Sequence, residues 1–197
     1  MHNKTKCIYI PFLILGTLLA VLWSTGWIGL WIKGIVYSTE NAKWSGHILN
    51  EDYSIAIDLA NLQNNIGKEL YNDGTHKIYV SNVDKSGDIN TGGYRIMFRS
   101  VGEYSLNEAS LISGIHHAKL DVDSFTYEMS AKMAAEYKGH SFDSSVYGIG
   151  GLNYRNGDAF GFYIFPTSAY EAEEVTLNES GIVHLTVTNL CKNTWRK

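Results

Sequence analysis

The chain has 197 residues, a formal net charge of −4, 13% aromatic residues and only two prolines, a composition that excludes a disordered polymer. Three of the 16 basic residues (Lys4, Lys6, Lys33) and none of the 20 acidic ones precede Ser38. The remainder therefore sets 13 basic against 20 acidic groups, a net −7 with His neutral. That balance, with no basic stripe, argues against nucleic acid or anionic lipid as the main partner, because phosphate binding needs clustered Lys and Arg.

From Ile8 to Ile32 no residue is charged. At about 1.5 Å per residue such a run reaches across a hydrocarbon core of roughly 30 Å, and backbone groups left unpaired in lipid are costly, so the sequence predicts one transmembrane helix. Pro11 falls in its first turn, and Gly16, Gly26 and Gly29 are residues that membrane helices tolerate. Trp23, Trp27 and Trp31 recur every four residues, with Lys33 behind them. This spacing predicts an interfacial anchor at the C-terminal end of the span. A cleaved signal peptide would have a shorter apolar core and small residues at its cleavage site, where this chain carries Trp and Ile. Lys4 and Lys6 before the helix put the N-terminus in the cytoplasm and the rest outside. The expected organisation is a cytoplasmic N-terminus (1–7), an anchor (8–36), a polar linker (37–45) and an extracytoplasmic domain (46–197).

Beyond the linker the dominant period is two, as in half-buried strands. Strands are expected at Tyr53–Leu59, Lys77–Val83, Tyr94–Arg99, Phe125–Tyr137, Ser141–Gly148, Leu152–Tyr154, Ala159–Phe165 and Ile182–Leu190. Asn156-Gly157 is a hairpin signal. Leu59, Leu62, Ile66 and Leu70 have helical spacing, which predicts a short helix over Ala60–Leu70. The fold class read from this pattern is mainly β: an antiparallel β-sandwich-like exported domain preceded by one N-terminal transmembrane α-helix.

No motif names a reaction. Asp84 to Asn90 alternates oxygen side chains as a calcium loop does, but the Gly and Glu that an EF-hand requires at positions six and twelve are Ile89 and Arg95. His116 and His117, adjacent on a strand, point to opposite faces. His47, His76, His140 and His184 are scattered, and no HExxH or Cys/His spacing supports zinc. No Gly-x-Ser-x-Gly elbow is present, and Gly148-Ile-Gly-Gly151 lacks the Lys-Ser/Thr of a phosphate loop. The acid pairs Asp121/Asp123 and Glu173/Glu174 could act on a glycoside only from within one cleft. Cys7 and Cys191 lie on opposite sides of the membrane and do not pair. No catalytic residue, metal ligand or cofactor is expected.

Aromatic residues crowd the Asn156-Gly157 hairpin. One set, with Phe160 and Phe162, fills the core. The candidate ligand or partner surface is Tyr147, Tyr154, Tyr163 and Phe165. The expected function is a single-pass, membrane-anchored binding module of the cell envelope, its partner an envelope protein or an extracellular ligand. The alternatives are an extracytoplasmic hydrolase with a site assembled from scattered His, Asp and Glu, and an accessory subunit of a membrane complex.

Overall fold

The computed structural model describes residues 3–88, 92–121 and 124–197. Three helices open the chain: α1 (Asn3–Ser24), α2 (Trp27–Lys33) and α3 (Ile35–Thr39). There follow β1 (Lys43–Ile48), β2 (Tyr53–Asp58), a 3-10 turn (Leu62–Asn65), β3 (Glu69–Asn72), β4 (Lys77–Lys85), β5 (Tyr94–Val101), β6 (Glu103–Tyr104) and β7 (Glu108–Ser113). Next come β8 (Ile115–Asp121), β9 (Ser124–Met129), β10 (Lys132–Tyr137), β11 (His140–Asp143), β12 (Ser145–Ile149) and β13 (Ala159–Tyr163). A short helix α4 (Thr167–Glu171) precedes β14 (Ile182–Thr188) and β15 (Cys191–Arg196). The protein is mainly β, and its sheets are antiparallel.

The strands pair in the orders β1-β15-β7-β6, β11-β10-β14-β2 and β12-β13-β5-β4-β3, with β8-β9 as a separate hairpin. Alternation explains the core. In β10 the odd positions Met133, Ala135 and Tyr137 are buried, and in β14 so are Val183, Leu185 and Val187. They meet Ile78 and Val80 of β4, Ile96 and Phe98 of β5, and Phe160 and Phe162 of β13 in one cluster. A smaller cluster joins Ile35 and Ala42 to Ala109, Leu111 and Trp195.

The N-terminal segment differs from a single straight helix. No single helix among the described residues is long and apolar enough to cross a membrane; Pro11–Ser24 and Trp27–Lys33 pass only as a pair, bent by 71°. The bend has a local cause. Gly26 adopts φ 85°, a left-handed conformation that ends α1. Gly26 and Gly29 also let Tyr37 of α3 pack where their Cβ atoms would be. Trp23 therefore sits across the bend from Trp27 and Trp31, so the three do not share one helical face.

The residues expected to form a linker (37–45) belong to the fold. Ser38 and Thr39 are buried, and the Ser38 hydroxyl donates to the Ser105 carbonyl at 2.5 Å. Ile35, placed within the anchor by its hydropathy, is fully buried, and its N–H donates to the Arg155 carbonyl at 2.8 Å. From Lys43 onward β1 pairs with β15.

Other expectations are revised. Phe125–Tyr137 is two strands: the N–H groups of Ser130 and Ala131 both donate to the Gly114 carbonyl, so β9 pairs with β8 and β10 with β11 and β14. Ser141–Gly148 divides likewise into β11 and β12. Residues 152–154 form only a bridge, Tyr154 to Gly157. The helix expected over Ala60–Leu70 is a single 3-10 turn followed by β3. The buried Asn65 carboxamide dictates this, accepting from the Asp58 N–H and donating to the carbonyls of Asp58 and Leu62.

Candidate functional site

Three of the four aromatic residues chosen from the sequence lie at the surface. In the five-stranded sheet Tyr163 pairs with Arg95, and Ala159 with Arg99. These positions alternate with Phe160 and Phe162, so Arg95 and Arg99 project on the opposite face, where Arg95 is half-buried and Arg99 is buried. There the Arg95 guanidinium stands 4.9 Å from the Tyr147 ring centre, and Tyr147 meets Tyr163 edge-on at 5.2 Å. The Arg99 guanidinium lies 3.5 Å from the Tyr154 ring centre and donates to the Asp158 carbonyl and the Asn156 side chain. Tyr147 and Tyr154 are 38% and 46% exposed. Arg95 is also held by Asp84 at 2.6 Å, so the residue that opens the calcium-like loop serves an ion pair; Ile89 and Asn90 of that loop lie outside the described residues. The fourth residue, Phe165, is only 1% exposed. It packs edge-on to Tyr94, Phe142 and Tyr170 in the core, because the chain turns inward after β13.

Trp23, Trp27 and Trp31 are exposed at 73%, 54% and 70%. Lys33 does not simply reach outward: its ammonium pairs with Glu40 at 2.6 Å.

Sequence reasoning missed a hydrogen-bonded series at the start of β4. Asp73 follows β3 and folds back on the Asp-Gly-Thr-His turn, accepting from the N–H groups of Thr75 and His76 at 2.8 and 2.6 Å. The Tyr71 hydroxyl also donates to it at 3.0 Å. Desolvation pushes the Asp73 carboxyl pKa up, but these hydrogen bonds and the His76 ring outweigh it and hold the group well below the ordinary carboxylate range. His76 is buried, with Nδ1 at 2.9 Å from Asp73 Oδ2 and Nε2 at 2.8 Å from Ser110 Oγ. An ionised carboxylate only accepts, so Nδ1 carries a proton, and in the neutral imidazole Nε2 is then the acceptor for the Ser110 hydroxyl. Ser110 is half-buried on β7 and lines a pocket of about 290 Å³ with Glu103, Glu108, Lys192, Thr194 and Arg196. The Asx-type turn is a local signal that pairs Asp73 with His76. Nothing local could supply Ser110, 34 residues away.

A second series is wholly interior. Asp158 accepts from the Ser113 hydroxyl at 2.8 Å and lies 2.6 Å from His117 Nε2. The His117 N–H donates to Asn193, whose carboxamide donates to the Ile115 carbonyl. All four side chains are buried, and here the carboxylate stands between Ser and His, so the serine has no base; this series ties β7, β8 and β15 to the residue before β13. His116 points the other way, edge-on to Trp44. The full burial of His76 and His117 goes beyond the surface or half-buried positions expected of the histidines, whereas His47, His140 and His184 are exposed. Cys191 is fully buried beside this network, and burial pushes its thiol up to about 11. Among the described residues no three His, Cys, Asp or Glu side chains converge as a metal site. Asp123 lies outside the described residues, and Glu173 and Glu174 do not line the pocket beside Ser110.

No known protein family, curated protein or solved structure matches this chain.

Proposed function

We propose that the protein is a membrane-tethered, extracytoplasmic binding module: a sandwich-like β-domain held at the outer face of a cell membrane. The observation that carries this reading is the apolar surface of α1 and α2. Phe12, Leu13, Ile14, Leu15, Val21, Trp23 and Trp31 are all more than half exposed, whereas the exposed large apolar side chains described in the β-domain, such as Val146, Tyr154 and Ile182, are each less than half exposed. Lipid is the environment that removes so much apolar surface from water.

The bend fits an interfacial exit. Pro11–Ser24 alone covers about 21 Å, short of a hydrocarbon core of roughly 30 Å. The more N-terminal part of α1 extends the crossing, and α2, turned by 71°, lies toward the headgroups with its Trp residues. Lys4 and Lys6 hold the N-terminus in the cytoplasm. Beyond the bilayer the Tyr147, Tyr154 and Tyr163 face meets an envelope protein or an extracellular ligand, its rings backed by Arg95 and Arg99. The acidic domain argues against nucleic acid.

The tether is tested by alkaline extraction of membranes containing the full-length protein. The wild type stays in the pellet, and Leu15→Arg with Leu19→Arg releases it; a wild type that is extracted refutes the tether. The contact face is tested by a photo-crosslinking residue at position 147 or 154 in native membranes. A discrete adduct at these positions, absent from a control at exposed Gln63, supports it; equal patterns at all three refute it.

A further inference from the structure

We propose that Ser110 is an activated nucleophile, with His76 as its general base and Asp73 as the residue that positions the imidazole, and that the adjoining pocket takes a small carboxylic ester. This inference is independent of the tether and of the aromatic face. Two distances carry it, 2.9 Å from Asp73 Oδ2 to His76 Nδ1 and 2.8 Å from His76 Nε2 to Ser110 Oγ. Both lie within the reach required of a nucleophile, its base and the base's orienting group. Each residue also meets the chemistry of its place. Asp73 is fixed by two backbone N–H groups and the Tyr71 hydroxyl, so its carboxylate stays ionised and aimed. His76 is shielded from water, which leaves its Nε2 lone pair to the serine alone. Ser110 is half-buried and opens onto a pocket of about 290 Å³, a size suited to a small ligand.

The pocket supplies charge as well as space. Thr194 lies directly across β15 from Ser110, and Arg196 across from Glu108. Lys192 and Arg196 line the pocket and take part in no ion pair among the described residues, so their positive charge is available to a developing oxyanion. Glu103 and Glu108 on the other wall keep the pocket neutral overall, which favours an uncharged ester carbonyl over a polyanion.

The reaction balances with water as the second reactant. Ser110 Oγ attacks the carbonyl carbon while its proton passes to His76 Nε2, and the carbonyl π pair moves onto oxygen. Collapse breaks the ester C–O bond, and the departing alcohol takes the proton from Nε2. Water then attacks the acyl-serine, gives a proton to Nε2, and releases the acid as that proton returns to Oγ. Asp73 remains a carboxylate throughout.

The test treats the full-length protein in detergent with a fluorophosphonate probe and with p-nitrophenyl acetate, and maps adducts by peptide mass spectrometry. The proposal expects one adduct on Ser110, its loss in Ser110→Ala, and ester turnover that falls with it. Asp73→Asn keeps the side chain's shape but reverses its hydrogen bonding. It should slow labelling by about 100-fold or more and move its pH profile, neither of which follows from a merely structural contact. Mapping the wild type does not depend on any variant folding. A wild type that melts cooperatively yet carries no adduct on Ser110 overturns the proposal, as does an Asp73→Asn variant that labels at the wild-type rate.

Discussion

The ring of Tyr37 fills the space that a Cβ on Gly29 would occupy. This contact, with its counterpart at Gly26, fastens α2 to α3, and α3 in turn packs its Ile35 beneath Leu111 and Trp195. The apolar segment therefore enters the β-domain through a fixed corner. A methyl group at position 29 must displace Tyr37. Gly29→Ala should lower stability by about 1–3 kcal/mol, an overpacking cost. In a Tyr37→Ala background the same substitution should cost much less, and denaturant melts of the four variants measure the difference.

The interior series at Asp158 makes a larger prediction. Removing this fully buried carboxylate strands the Ser113 hydroxyl and the His117 ring without their partner. Asp158→Ala should cost about 3–5 kcal/mol, the scale of breaking a buried charged network. Urea unfolding is the measurement.

Glu179 sets an acid limit. Desolvation raises its pKa, but Lys138 at 2.6 Å, the Thr176 N–H and the Tyr137 hydroxyl outweigh that and hold it at about 2. A depressed folded-state pKa gives stability that is present above the unfolded value near 4.5 and is lost as pH falls toward 2. Glu179→Gln should therefore lose about 1–3 kcal/mol at pH 7 and show a flatter stability profile between pH 4.5 and 2. Melts across that window check the sign.

The aromatic residues should separate into two classes. Phe165→Ala opens a cavity among Tyr94, Phe142 and Tyr170 and should cost about 3–5 kcal/mol. Tyr147→Ala removes an exposed ring and should cost under about 1 kcal/mol. Thermal melts distinguish them.

This division shows what was legible in the sequence. Alternation located β2, β4, β5 and β14 within a residue or two; β13, buried on both faces, was marked instead by the Asn156-Gly157 turn before it and Pro166 after it. The alternation ran through the break at Ser130 and Ala131 without a mark, since Met129, Ala131 and Met133 keep the period while the hydrogen-bond partner changes. β15 escaped notice because its inward row, Cys191, Asn193 and Trp195, contains a buried amide. Helical spacing misled at Ala60–Leu70: Leu59 and Leu70 are core residues of different elements, and Ile66 is exposed. At the surface, Tyr147 and Tyr154 could be found by composition alone. Ser110 could not, because its approach to His76 depends on how two separate sheets are placed.

The proposed tether puts the acidic β-domain outside a membrane that α1 crosses. Cys191 is buried and its thiol is raised to about 11, so with Cys7 replaced by Ser a cysteine placed at exposed Gln63 reports the domain's location. Intact cells expressing Gln63→Cys in that background are treated with a membrane-impermeant maleimide, before and after lysis. The account predicts full labelling at position 63 in intact cells, on protein that pellets with the membrane. Labelling that appears only after lysis, or a protein recovered in the soluble fraction, would contradict it.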